Sequence, residues 1–378
     1  MCRTLARKWV VVMIRRQLVN LGGFGCDYRI GCGALGDFSR FASNVVTTPK
    51  RAVLVIEAGA ADSTLTLVNR GLIDAGFRVY AMQLAADDSV CTVDCALRIQ
   101  EFCAESQLTC DDVIVSVGGM NVASVVDYVA MSWCGGCACA HVPTTFDAMC
   151  LAATRMRPLG LSSAHGLVSF HPHVSLVVCD LDLVMGQSAD DKMLGLVYLV
   201  AAAMTESTRS WENFAKKIPG YLAGEEVAYI DMLGMAQTAW SGVLKASNPS
   251  ARKAFNYGQP TARALASCLG DSFAPAQYLA EGLRFEARLA HEVFGLDLDT
   301  VFDQDDRLDD LGIEEIAFDL DVDVFIAALK REAYRLANRF MLSIPKASGT
   351  IRLATVDDDV LERHAKAYLS SRADLING

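Results

Sequence analysis

The sequence predicts an α/β domain with a parallel sheet followed by an all-helical domain. Three observations lead there. Continuous apolar strands alternate with amphipathic helices up to Asp180, and after Asp180 the strands give way to long stretches with helical apolar periodicity. The chain, at 378 residues with 52% hydrophobic and 21% charged, is also long enough to bury two cores. The expected division is an extension over 1–27, an α/β domain over 28–180 and a helical domain over 181–378.

The opening MCRTLARKWVVVMIRRQLVN sets basic residues before an apolar patch, but Arg15 and Arg16 interrupt it and no small-residue cleavage site follows. It reads as an amphipathic extension or a mis-assigned start. RAVLVIEAG (51–59) is a buried strand, STLTLVNRGLIDAG (63–76) a helix closed by Gly76, and FRVYAMQL (77–84) the next strand. A helix over 90–106 leads to the strand DVIVSVGG (112–119), and a further helix and strand end at PTT (143–145). Such alternation implies a parallel sheet with ligands at the carboxyl ends of its strands. Helices are expected at 191–204, 224–245, 260–268, 276–294 and 322–337, and the acidic 295–323 region reads as a solvated linker and loop.

Composition excludes several partners. A net charge of -11 offers no basic field for nucleic acid. No apolar run reaches the roughly 20 residues that cross a bilayer, so a soluble, cytoplasmic protein is expected. Thirteen cysteines in a chain without an export signal read as reduced, buried side chains. Cys134, Cys137, Cys139 and His141 have ligand-like spacing, but CACAHVP reads as a buried strand with Cys137, Cys139 and His141 on one face and Cys134 in the preceding turn. Structural cysteines are favoured there over a metal site. His171 and His173 read as loop residues, and Asp190 and Asp191 as caps of the following helix.

Gly118 and Gly119, between a strand and a helix, could admit a phosphate at the helix N-terminus, although no GxGxxG is present. Together with YRIGCGALGDFSRF (28–41), VPTTFDA (142–148), FNYGQPTARA (255–264), LAEGLRFEARLA (279–290) and the closing segment 340–365, this turn resembles the motif order of 3-dehydroquinate synthase and the sugar phosphate cyclases. The resemblance implies an NAD-binding Rossmann-like domain, a helical zinc-holding domain and a homodimer, with transient NAD oxidation and aldol closure of a carbocycle.

The residues depart from that pattern. The family's zinc ligands Glu, His and His correspond to Tyr198, Gln259 and Leu279, and its catalytic His to Arg263. Tyr, neutral Gln and Leu are not a Zn²⁺ ligand set. Gly118 and Gly119 remain as a vestigial cofactor turn, but the family's next Gly and Asp are Val122 and Ala123, and its Gly-rich loop has become LAATRMRPLG (151–160). Expected, then, are no metal and at most residual NAD binding. Tyr198, Arg263 and Gln259 are the candidate catalytic residues, and Arg252, Asn256, Arg157 and Glu281 the candidate substrate-binding residues. Two functions fit these substitutions. One is a metal-independent cyclase or lyase of secondary metabolism acting on a polar or carboxylated metabolite. The other is an inactive subunit, since the chain could form a homodimer or pair with an active cyclase homologue.

Overall fold

The computed structural model describes residues 14–162 and 164–377. Its first strands are β1 (Arg15–Asn20) and β2 (Gly25–Gly31), followed by α1 (Phe38–Ala42). Strands and helices then alternate: β3 (Arg51–Glu57), α2 (Asp62–Asp74), β4 (Arg78–Leu84), α3 (Val93–Glu105), β5 (Val113–Gly118), α4 (Met120–Ser132), β6 (Ala138–Pro143) and α5 (Phe146–Leu151). A short hairpin, β7 (Leu159–Leu161) and β8 (Ala164–Val168), precedes β9 (Leu176–Asp180).

The main sheet has the order β1-β2-β9-β6-β5-β3-β4, parallel throughout except for antiparallel β1. Its inner strands are continuous apolar runs because helices cover both faces; every residue of β5 and of β9 is buried. From β3 the chain turns one way to β4 and the other way to β5. The crevice between the carboxyl ends of β3 and β5 is therefore the topological switch point, where open α/β sheets bind ligands.

The first boundary is corrected. Arg15–Asn20 is not an extension but an edge strand, paired residue by residue with β2 from Arg15 opposite Ile30 to Asn20 opposite Gly25. The remaining part of the expected extension, residues 1–13, lies outside the described residues. β1 also reaches the second half of the chain: Arg15 pairs with Asp231 at 2.7 Å and Gln17 donates to the Gly234 carbonyl at 3.1 Å.

That second half contains α6 (Ala189–Glu206), α7 (Thr208–Leu222), α8 (Glu226–Lys245), α9 (Pro249–Arg252), α10 (Gln259–Leu269), α11 (Pro275–Phe294), α12 (Leu298–Asp310) and α13 (Val322–Tyr334), then the hairpin β10 (Met341–Ala347) and β11 (Thr350–Thr355), and α14 (Asp358–Asn377). The domain is thus helical but not all-helical. The cap of α6 is Ser188, whose Oγ accepts from the Asp191 amide at 3.2 Å. The acidic 295–323 region is also corrected, because α12 buries Val301, Gln304, Asp305, Arg307 and Leu308. Its acidic residues neutralise arginines: Asp305 meets Arg288 at 2.7 Å and Asp309 meets Arg284 at 2.8 Å. No helix among the described residues is long and apolar enough to cross a membrane.

Candidate functional site

The turn from Phe255 to Gln259 is held by buried polar anchors. Tyr257 is buried and donates to Gln304 at 2.6 Å, while the Gly258 amide and the Thr261 hydroxyl both donate to Glu286 at 2.7 Å. Burial pushes the Glu286 carboxyl up to about 8 despite these hydrogen bonds. Gly258 is required for two reasons: its φ is +76, and a Cβ there would lie 2.7 Å from Leu283. These anchors set the start of α10, and with it the direction of Gln259 and Arg263.

Arg263 pairs through Nε with Glu332 at 3.2 Å, while its Nη2 is buried without a hydrogen-bond partner. Arg155 comes to the same place from the α/β domain. Its guanidinium lies 5.5 Å from the Tyr198 ring centre and 5.3 Å from that of Phe255, a cation held between two aromatic faces. Burial lowers the Arg155 pKa from its ordinary value; Tyr198 opposes that shift and the positive Arg263 adds to it. No carboxylate pairs with Arg155 among the described residues. Arg155, Tyr198, Phe255 and Arg263 therefore form a partly open cluster with a surplus of positive charge.

Arg155 escaped the sequence reading, which favoured Arg157. The main chain past α5 explains the difference. The Arg155 amide still bonds to the Leu151 carbonyl, which turns its side chain toward α6 and α10. Arg157, two residues on, belongs to the opposite side: it is exposed, its amide donates to Ser124, and its Nη1 donates to Asn121 at 2.5 Å and to Asp88 at 3.3 Å. An extended segment would put residues two apart on the same side, so nothing in the spacing of Arg155 and Arg157 separates them; the turn after α5 does.

Glu281 is corrected as a substrate residue. It is 0% exposed and surrounded by Arg284 at 3.2 Å, Arg372 at 2.7 Å and the Tyr368 hydroxyl. These groups use up its acceptor positions and hold α14 onto α11. Arg252 stands exposed on α9, and Asn256 is half-buried in the turn that follows. Among the described residues, neither is hydrogen-bonded or ion-paired to the Arg155 cluster. Leu279, at 3% exposure, packs in the core. Tyr198, Gln259 and Leu279 do not fit a zinc ion, since they offer no anionic or imidazole donor.

At the switch point, Gly118 and Gly119 meet Glu57 from the end of β3. Glu57 Oε2 accepts from the Gly119 amide at 2.9 Å, and a Cβ on Gly118 would lie 2.7 Å from the Glu57 Cβ. Burial raises the Glu57 pKa, and Asp147 adds to the rise. The helix N-terminus that would receive a pyrophosphate therefore already binds a carboxylate of its own chain. The segment past Arg157 closes over the neighbouring surface, with the Gly160 amide donating to the Cys91 carbonyl at 2.9 Å. These residues do not fit a dinucleotide.

A concavity of about 260 Å³ bordered by Lys216, Lys217, Gly220 and Glu225 lies at the junction of α7 and α8. It carries no convergent buried polar groups, and the chemistry favours the Arg155 cluster.

Residues 81–189 match the family model described as 3-dehydroquinate synthase N-terminal. The 3-dehydroquinate synthase of Corynebacterium jeikeium is 24% identical over 291 residues, covering 74% of this chain and 76% of that protein. Among solved structures, 2-deoxy-scyllo-inosose synthase complexed with carbaglucose-6-phosphate, NAD+ and Co2+ superposes with a TM-score of 0.77 at 14% identity, over 93% of this chain and 100% of the other. The 2-epi-5-epi-valiolone synthase of Streptomyces hygroscopicus subsp. jinggangensis, with NAD+ and Zn2+ bound, gives 0.77 at 15% identity, over 95% and 99%.

Proposed function

We propose, for a chain that belongs to the superfamily of 3-dehydroquinate synthase and the sugar phosphate cyclases, a metal-independent lyase or cyclase acting on a carboxylated or similarly anionic metabolite. The observation that carries this reading is the pair Arg155 and Arg263. Both are partly withdrawn from water, Arg155 lacks a carboxylate partner among the described residues, and one Arg263 nitrogen is orphaned. Buried cations are costly unless paired, and an anionic ligand would supply the missing charge.

A carboxylate held by Arg155 and Arg263 would be oriented over Tyr198 and Phe255 in the same cluster. Tyr198 is the group available to donate or relay a proton, and Gln259, at the first turn of α10, offers a neutral hydrogen-bonding amide. Asn256 belongs to the turn that sets this geometry, and Arg252 adds positive charge outside it. Positioning and proton transfer suffice for an elimination or ring closure that needs no hydride step. Glu57 on the Gly119 amide supports the absence of a dinucleotide step.

That same occupied turn favours the second reading, an inactive subunit pairing with itself or with an active cyclase homologue. A thermal-shift titration with tricarballylate and with inorganic phosphate separates the two. Under the proposal, the wild-type chain and Arg157→Met are stabilised and Arg155→Met is not. A response by Arg155→Met equal to wild type would refute the anion site, and no response by any chain would favour the inactive subunit.

A further inference from the structure

Away from that cluster, beneath α4, three potential ligand side chains face one another in a dry interior. Cys139 and His141 are alternate residues of β6 and so share a face, and Asp127 reaches them from α4. Cys139 and Asp127 are 0% exposed and His141 is 1% exposed. Cys139 Sγ and Asp127 Oδ1 each lie 3.7 Å from His141 Nε2, and all three atoms fall within 4.8 Å of one another.

Those separations are too long for good hydrogen bonds between N and O. They lie slightly beyond the edges of a tetrahedron around a zinc ion, which Zn–N of about 2.05 Å and Zn–S of about 2.3 Å set at roughly 3.4–3.6 Å, so a bound ion would draw the three groups in by a few tenths of an ångström. A second observation points the same way. Asp127 Oδ1 is buried with no hydrogen-bond partner, while Oδ2 accepts from the His173 amide at 2.8 Å. A buried carboxylate oxygen with no hydrogen-bond partner calls for an explanation, and a bound cation would supply one.

The surroundings of His141 agree. His141 Nδ1 lies 2.6 Å from Ser116 Oγ, on the neighbouring strand in direct register. Ser116 is itself 1% exposed. A ligating imidazole ordinarily gives its other ring N–H to such an acceptor, which fixes the tautomer and aims Nε2 at the metal.

We propose that Asp127, Cys139 and His141 form a structural site for a thiophilic divalent cation, Zn²⁺ being the ion that suits one S, one N and one O donor. Thiolate, carboxylate and neutral imidazole around a dication sum to zero charge, so burying the filled site costs little. Binding releases the thiol proton of Cys139 to solvent and leaves the metal's oxidation state unchanged. This site is independent of Tyr198, Gln259 and Leu279 and does not rest on the proposed function.

The test is to load the full chain with Co²⁺, remove excess and read the absorption spectrum together with metal content. The expected result is one equivalent of cobalt with a near-ultraviolet thiolate-to-cobalt charge-transfer band. Ser116→Ala should weaken metal affinity by about 10–100-fold. Asp127→Asn, which preserves shape if Cys139→Ala fails to fold, should lose most of the metal, and Gln259→Ala should keep it. Absence of retained metal in the wild-type chain would mean that Asp127 and His141 are simply a buried ion pair. Metal without the charge-transfer band, or retained in Asp127→Asn but lost in Gln259→Ala, would place the ion in the second domain and overturn the proposal.

Discussion

Glu281→Gln should damage stability without touching ligand binding. The carboxylate is fully buried and receives Arg284, Arg372, the Tyr368 hydroxyl and, at 3.4 Å, the Ile316 amide. Breaking a buried ion pair by removing one partner costs about 3–5 kcal/mol. Here the loss should fall near the lower end, about 3 kcal/mol, because Arg284 keeps Asp309 at 2.8 Å and Arg372 keeps Glu315 at 2.9 Å. For a domain of roughly 200 residues, an unfolding entropy of about 0.4 kcal/mol/K makes this a fall of about 7 °C in Tm. Differential scanning fluorimetry with and without tricarballylate gives both readouts. A Tm within about 1 °C of wild type, combined with a lost ligand response, would refute the reasoning and return Glu281 to the binding site.

Three further outcomes are expected. Gly258→Ala should lose roughly 1–3 kcal/mol in urea unfolding, because its Cβ would meet Leu283 in a left-handed backbone conformation. Glu286 should make stability fall as pH rises. Burial raises its folded pKa to about 8 from the ordinary 4.5. The folded chain therefore holds a proton that the unfolded chain has lost, so this contribution is complete below the lower value and gone above the higher. Urea titrations across that window should have a steeper pH dependence in wild type than in Glu286→Gln. Glu57→Ala should bind NAD at least about tenfold more tightly than wild type by isothermal calorimetry, because it frees the Gly119 amide and removes a negative charge facing the pyrophosphate.

The repeating strands and helices up to β6 were legible because burial on both faces leaves an apolar run and each helix leaves its period. β1 was not, since an edge strand with alternating exposure and two arginines looks like a basic tail until its partner is known. α12 was hidden for a related reason. Its acidic residues read as solvated until α11 supplied Arg284 and Arg288 opposite them. At the candidate site, Tyr198 and Arg263 were found by resemblance and do face one cation, but Arg155 depends on where the chain turns after α5. Asp127 could not be joined to Cys139 and His141 from sequence, because the contact requires α4 to lie across the sheet.

The first strand has a mechanical consequence. Because β1 is hydrogen-bonded into the sheet of one half while Arg15 and Gln17 grip α8 of the other, a wide swing of the two halves would have to break those contacts or peel the strand from its edge. The cluster around Arg155 is thereby braced rather than hinged. If the proposed anion site holds, selection among anions at that cluster would rest on fit to a standing surface instead of on closure around the ligand, and trimming residues 15–20 would loosen that surface as well as the fold.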